Sequence, residues 1–287
     1  MTTLRFTDRG PEVKRMQERL TLRGFRPGPT DGIFGAATEA ALIAFQRAQG
    51  LLPDGVYGPK TRLRLDPAGI LHKAEPYLFL SADLVAKMFP ATPAGNIARF
   101  LPLVLTALKA SGIADKPMIL TALATIRAET EGFLPIEERV SRFNTSPGGR
   151  PFDLYDQRAD LGNRGRPDGE RYRGRGFVQL TGRANYTAIG KALGMGLALV
   201  QDPARALEPE TAARILAAFL QPHEREIKEA VLDGDLLRIR RLVNGGSHGF
   251  GRFADAFLRG FRLIDDPVWP AGELDAAIRA RPDLRSA

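Results

Sequence analysis

The stretch Asp31-Gly32-Ile33-Phe34-Gly35, with Thr38 three residues on, returns 23 residues later as Asp54-Gly55-Val56-Tyr57-Gly58 with Thr61. A repeat of this kind sets the unit of folding and is read first. Each copy reads as a tight turn followed by a helix. Asp and Gly supply the turn chemistry and the positive φ. The aromatic can fold back onto a core, and the Thr can cap the next helix. Upstream, Val13, Met16, Gln17 and Leu20 share one helical face; between the copies, Leu42, Phe45 and Gln46 share another. The repeat therefore predicts a small three-helix domain at 1–66. Leu65-Asp66-Pro67-Ala68-Gly69 breaks the helical pattern. Residues 67–80, with His72 and Pro76, read as a linker.

From Ser81 to the end, 81–287, helical patterns dominate. Ser81 can start a helix, and Asn96 can cap one that runs to Ala110, with Gly112 as its stop. A second helix is expected from Lys116 to Thr130, with Ile119, Leu120, Leu123 and Ile126 on its apolar positions. Residues 134–170 then lose periodicity and carry Pro, Gly, Asp and Asn, as an irregular functional loop does. Helices resume at about 182–193, 208–220, 222–232, 235–243 and 250–264. The expected fold class is mostly α.

Composition narrows the function. Among 287 residues, 44% are apolar and 26% charged, as in an ordinary globular protein. There is no cysteine, which excludes disulfides, thiolate metal sites and a cysteine nucleophile. His72, His223 and His248 fall in no metal-ligand spacing, so neither a metal nor another cofactor is expected. The net charge is +8, and residues 1–70 hold 11 Lys and Arg against 7 Asp and Glu. Such a chain favours an anionic partner, yet no basic run resembles a nucleic-acid arm. The opening MTTLRFTDRG lacks the apolar region of a secretory signal.

Two carboxylates mark candidate chemistry. Glu129 ends the apolar helix in Ile126-Arg-Ala-Glu-Thr-Glu-Gly-Phe133, and Glu138 follows nine residues on, past Gly132 and Pro135. Glycoside hydrolysis needs such a pair across a cleft, one protonated and one ionised. Burial against apolar neighbours would keep the first protonated.

Two resemblances sharpen this. Gly10, Val13, Gln17, Leu20 and Gly24, then Asp31-Gly-x-Phe-Gly-x-x-Thr38, Phe45-Gln46, Gly50-Leu51 and Asp54-Gly55 resemble the peptidoglycan-binding domain type 1 family. Tyr172-Arg-Gly-Arg-Gly-Phe-Val-Gln-Leu-Thr-Gly-Arg-Ala-Asn-Tyr186 resembles the signature block of family 19 glycoside hydrolases, the plant-type chitinases and related phage lysozymes. Leu242-Val-Asn-Gly-Gly246 resembles that family's Asn-Gly-Gly motif, and 81–133 follows its opening. The resemblance implies a lysozyme-like all-α catalytic domain with an inverting acid–base mechanism. It makes Glu129 the general acid, Glu138 the base and Thr181 the hydroxyl that holds the attacking water. Gln179, Asn185 and Asn244 become sugar contacts, and Tyr172 can stack on a ring. Ala128 stands where the family has His, and Glu131 where it has Gly. Glu131 reads as a solvated carboxylate, and Glu137 competes with Glu138 for the base. Arg252 can brace the base through an ion pair, and His248 reads as a loop residue.

The combined expectation is a monomeric modular endolysin. It would cleave the β-1,4 bond between N-acetylmuramic acid and N-acetylglucosamine in peptidoglycan, and contact with lipopolysaccharide is a further expectation. Made in a host cytoplasm, it would reach the wall through a holin-type release. The alternatives are a chitinase, a lytic transglycosylase and an inactive wall-binding protein.

Overall fold

The computed structural model describes residues 3–49, 51–65, 80–264, 266 and 271–279. It is mostly helical, as the periodicity predicts. The chain divides into two compact units, 1–73 and 74–287. The linker expected at 67–80 lies, except for Leu80, outside the described residues, as do Gly50, His72 and Pro76.

The first unit holds α1 (Pro11–Leu22), α2 (Ala36–Ala48) and α3 (Pro59–Leu65). The face of α1 predicted to be buried is the buried one: Val13, Met16, Gln17 and Leu20. Phe34 and Tyr57 fold back from the two repeats into the same core, beside Leu42 and Phe45. The two glutamines on the apolar faces explain the repeat. Gln17 accepts from the amide of Gly32 and donates to Asp31, the Ile33 carbonyl and Thr38. Gln46 accepts from the amide of Gly55 and donates to Asp54, the Val56 carbonyl and Thr61. One buried amide thus satisfies each turn, because a buried polar group without partners is costly. Gly32, at φ 78°, leaves no room for a Cβ, which would lie 2.9 Å from the Gly10 carbonyl oxygen. Thr38 and Thr61 do not cap, contrary to expectation; each sits one turn inside its helix and completes the glutamine's network. Gly35 holds the cap position of α2.

In the second unit, α4 (Ala82–Ala86) precedes two long helices, α5 (Ala94–Ala110) and α6 (Lys116–Glu129). Helix α6 is buried on every side from Lys116 to Ile126, which is how a helix apolar all round is accommodated. Asp115 caps it by accepting from the amide of Met118 at 3.2 Å. The strands β1 (Ile136–Glu137) and β2 (Arg175–Gly176) pair antiparallel, with Ile136 opposite Gly176. Around them lie α7 (Asp153–Asp156), α8 (Asp168–Arg171), α9 (Arg183–Ala192), α10 (Ala198–Gln201), α11 (Pro209–Leu220), α12 (Glu224–Leu232), α13 (Leu236–Asn244), α14 (Phe250–Leu263) and α15 (Ala271–Arg279). Helix α14 lies against α6 at Gly260, where a Cβ would come within 2.3 Å of Leu120 and 2.7 Å of Met88.

Two local expectations are corrected. Asn96 does not cap α5; it sits inside the first turn and donates to the Gly132 carbonyl at 2.8 Å. It thereby ties α5 to the turn after Glu129. The stretch 134–170 is not irregular throughout. It carries β1, α7 and α8 and is held by side chains bonded to backbone. Asn163 receives the amide of Arg183, Asp156 receives that of Gly169, and Asp168 receives that of Arg164. These are local solutions that polar side chains offer without any hydrophobic period.

Candidate active site

Glu129 is the last residue of α6, and its side chain is 13% exposed. The sequence predicts apolar enclosure, but the structure places a cation there. Arg240, on α13, is fully buried and donates from Nη2 to Glu129 Oε1 at 2.6 Å. The same guanidinium donates from Nε and Nη2 to the His248 carbonyl at 2.8 and 2.6 Å. His248 contributes its backbone to the site, and its side chain is exposed. Arg240 was legible in the sequence as an arginine inside the apolar stripe Leu236, Ile239 and Val243. A buried charge must be paired, and the sequence reading did not pursue its partner.

Glu138 stands just after β1 in a different setting. Its Oε1 accepts from Asn144 Nδ2 and from the Tyr155 hydroxyl, each at 3.0 Å. Its Oε2 accepts from the amide of Gly174 at 3.1 Å. All three donors are neutral. Burial and the Glu138 carboxylate push the Tyr155 hydroxyl up to about 12, so it stays a donor throughout the working pH range. Glu137 is the ion-paired neighbour, with Arg173 at 2.8 Å and Arg175 at 2.7 Å. Partial burial opposes its ionisation, but hydrogen bonds from the two arginines outweigh this and hold it below the ordinary 4.5. Among the described residues, Glu138 is in no ion pair with an arginine, whereas Glu137 is in two.

Close packing around Gly174 brings three oxygens together beside Glu138. A Cβ there would lie 3.2 Å from Glu138 Oε2, 3.2 Å from Thr181 Oγ1 and 2.8 Å from Gln179 Oε1. The carboxylate, hydroxyl and amide oxygens therefore border one point. Thr181 donates to the Gln179 carbonyl at 2.8 Å, which leaves its lone pairs for a further donor. Gln179, at φ 52°, donates to the carbonyls of Ile136 and Gly176, each at 3.0 Å. Its amide nitrogen braces the β pair while its oxygen borders the site.

The remaining predicted residues divide. Asn185 is exposed and donates to the Thr181 carbonyl at 2.8 Å, so it holds the backbone of the threonine. Asn244 ends α13 with an exposed side chain, and Gly245 follows in the left-handed region. Tyr172 is corrected. It is 1% exposed, packs on Tyr186 at 5.5 Å, has the Arg183 guanidinium 4.7 Å from its ring centre and donates to the Val200 carbonyl. No ring face remains for a sugar. Arg252 is corrected as well: it pairs with Glu131 rather than with Glu138. Glu131 is exposed, as expected, and it is ion-paired rather than merely solvated. Between Glu129 and Glu138 in the chain, the buried Phe133 meets Phe89 at 5.0 Å and Phe177 at 6.3 Å. Asn144, Tyr155 and Gly174 escaped the sequence reading because their role depends on the fold of the 134–170 segment.

Comparison with known proteins bears most directly on the first unit. Residues 9–65 match the family described as putative peptidoglycan binding domain, and the N-terminal unit carries that domain. N-acetylmuramoyl-L-alanine amidase CwlM of Mycobacterium tuberculosis is 46% identical over 52 residues, 18% of this chain and 13% of that protein. The spore cortex-lytic enzyme of Bacillus cereus is 45% identical over 56 residues, 20% of this chain and 22% of that protein. The chain thus spans less than a quarter of either relative. Among solved structures, chitinase C from Streptomyces griseus aligns at a TM-score of 0.45 and 20% identity, over 68% of this chain and 79% of that one. The Burkholderia AP3 phage endolysin aligns at 0.23 and 20%, over 91% and 99%.

Proposed function

We propose that the second unit is an inverting glycoside hydrolase that cleaves the β-1,4 bond between N-acetylmuramic acid and N-acetylglucosamine, and that the whole chain is a modular endolysin. The observation that carries this reading is the convergence of Glu138 Oε2 and Thr181 Oγ1 on Gly174, each 3.2 Å from where a Cβ on that residue would lie. An inverting enzyme needs a carboxylate base and room for one water. Here a carboxylate held only by neutral donors faces a hydroxyl that can orient that water. Glu129 is the general acid in this scheme. Arg240 occupies Oε1, so Oε2 carries the proton to the leaving oxygen. Water loses its proton to Glu138 as it attacks the anomeric carbon, the glycosidic bond breaks, and the leaving oxygen takes the proton of Glu129. The pair is expected about 6.5–9.5 Å apart, the separation that such a displacement requires.

The wall, rather than chitin, is the proposed polymer, because the first unit carries a peptidoglycan-binding domain and the chain is basic. The relatives' names, an amidase and a cortex-lytic enzyme, support a place in wall lysis. Their short alignments transfer no amide-bond chemistry to the second unit. Action as a monomer on the wall from the periplasmic side, after holin-type release and with contact to anionic lipopolysaccharide, completes the proposal.

Mass spectrometry of digested sacculi tests it. Fragments ending in reducing N-acetylmuramic acid are expected, with the product's anomeric configuration inverted in a proton NMR time course. A 1,6-anhydro end would instead identify a lytic transglycosylase, and turnover restricted to chitin oligomers would identify a chitinase.

A further inference from the structure

Directly after Glu138, the chain runs Arg139-Val140-Ser141-Arg142-Phe143. All five residues are exposed, with Val140 at 57% and Phe143 at 74%. Large apolar side chains held out in water beside a catalytic centre suggest a ligand contact. The segment is nonetheless anchored. Asn144, fully buried, donates to Glu138 Oε1 and to the Arg139 carbonyl, and its own oxygen receives the amide of Ser141 and the hydroxyl of Thr145. One side chain therefore fixes the tip of the segment to the proposed base. Phe143 is the next residue, one Cα step of about 3.8 Å away. The Arg142 guanidinium lies 4.9 Å from the centre of the Phe143 ring, which leaves the opposite face open. Among the described residues, neither Arg139 nor Arg142 is in an ion pair with a carboxylate, whereas the nearby Arg150, Arg158, Arg173 and Arg175 are.

We infer that Arg139, Arg142 and Phe143 form a recognition edge for the anionic glycopeptide of the wall: the arginines take its carboxylates, and the open face of Phe143 takes an apolar sugar face. The inference deepens the proposed function and rests on it. It names what separates wall from chitin at the catalytic centre itself. A chitin strand is uncharged, whereas N-acetylmuramic acid carries a lactyl group and a stem peptide ending in carboxylates. Guanidinium groups suit carboxylates because the planar fork matches both oxygens. An anionic membrane is the rival occupant. Wall glycopeptide is favoured because the anchor is the base itself, which ties the edge to the bond being cut.

The test compares the full chain with Arg139→Gln/Arg142→Gln and with Phe143→Ala, all exposed positions. The substrates are soluble peptidoglycan strands and the same strands with their carboxylates amidated. The double variant is expected to raise KM for native strands about three- to tenfold with little change in kcat, as befits two partly solvated charge contacts. The wild type should lose a similar factor on amidated strands, and the variant should lose almost nothing further. Phe143→Ala should raise KM for both substrates alike. Equal KM values for wild type and double variant on native strands would overturn the inference. So would a wild type that does not distinguish the two substrates, or a double variant whose only defect is weaker binding to vesicles of anionic phospholipid. A wild type inactive on both substrates would remove the proposed function and this inference together, whereas an active wild type with unaffected variants removes only the inference.

Discussion

The two glutamates of the proposed site live in opposite electrostatic settings. Glu129 ends a buried helix and leans on a fully buried arginine. Glu138 sits on a bend held by an amide side chain, a phenol and a backbone N–H, all neutral. The difference teaches how one protein can give two identical side chains different work. The arginine fixes one oxygen of Glu129, and in the proposed scheme the other carries the proton. The neutral donors orient Glu138 for the base role proposed for it. Role is set by partners rather than by residue type.

The largest expected effect breaks both sides at once. General acid and base groups contribute about 10²–10⁴-fold each. Glu129→Gln and Glu138→Gln should each lower lysis by such a factor, and the double variant should lose little beyond the worse single one, since the two act in one step. Turbidity loss on outer-membrane-stripped cells measures this, with circular dichroism as the control for folding. Full activity of either single variant would remove that glutamate from the mechanism.

The next effect separates the two settings. Arg240→Leu strips the cation from Glu129 and leaves a carboxylate 13% exposed without it. Breaking one half of a buried pair typically costs about 3–5 kcal/mol. Thermal unfolding should show a large drop in Tm, and adding Glu129→Gln should restore part of it. Asn144→Ala, on the Glu138 side, breaks only neutral hydrogen bonds, at about 1–3 kcal/mol for the groups left unpaired. Equal losses from the two variants would deny the contrast.

Space can be tested apart from charge. Gly174→Ala puts a methyl 3.2 Å from both Glu138 Oε2 and Thr181 Oγ1. If Glu138 and Thr181 position the attacking water, crowding both oxygens should lower kcat at least tenfold while wall binding stays as it was, measured by steady-state kinetics and by co-sedimentation with sacculi. The methyl also presses on Gln179 Oε1 at 2.8 Å, whose amide braces the β pair, so thermal unfolding must accompany the kinetics to separate a lost water from a loosened scaffold.

The sequence points to Glu129 and Glu138 as candidates but to little of what surrounds them. Glu129 stands out at the end of an apolar helical period, and Glu138 nine residues on. The buried faces of α1 and α6 were legible for the same reason: apolar spacing is a one-dimensional record of burial. The partners of Glu138 were not legible. Asn144 and Tyr155 lie in 134–170, where the order comes from side chain to backbone bonds that leave no period. Tyr172 is a core residue rather than a sugar platform, because an aromatic beside glycines and arginines packs into a core as readily as onto a ring. The arginine on the apolar stripe of α13 was a visible signal whose partner, 111 positions away in the chain, only the fold supplies.

Acid should weaken the scaffold of the site rather than its reacting groups. Asp168 pairs with Arg183 through both oxygens, at 2.5 and 2.7 Å. The hydrogen bonds from Arg183 hold its carboxyl below the ordinary 3.8 despite opposing burial. Glu137 is held below 4.5 in the same way. A carboxylate with a lowered folded pKa stabilises the fold above its unfolded value, and that contribution is lost as pH falls through the folded value. Denaturant midpoints should therefore be flat at neutral pH and decline as the pH drops below about 4. Asp168→Asn should start from a lower midpoint and decline less steeply. A parallel decline would show that the stability of the segment does not depend on this pair.

The smallest expected effect concerns the third carboxylate. Glu131 lies two residues beyond Glu129, yet it points into solvent and pairs with Arg252, itself 41% exposed. Ion pairs in that setting are worth about 0–1 kcal/mol. The backbone around it is held independently: Thr92 donates to the Glu131 carbonyl and Asn96 to the Gly132 carbonyl. Removing the charge therefore takes away neither a fold contact of consequence nor a proton donor. Glu131→Gln should change lysis less than threefold beside a Glu129→Gln variant that is nearly dead, with both rates rising or falling together as salt is varied. The substitution also tests the register of the catalytic assignment. A dead Glu131→Gln beside a live Glu129→Gln would move the acid two residues along the chain, out of reach of Arg240, and would make the buried arginine a purely structural charge.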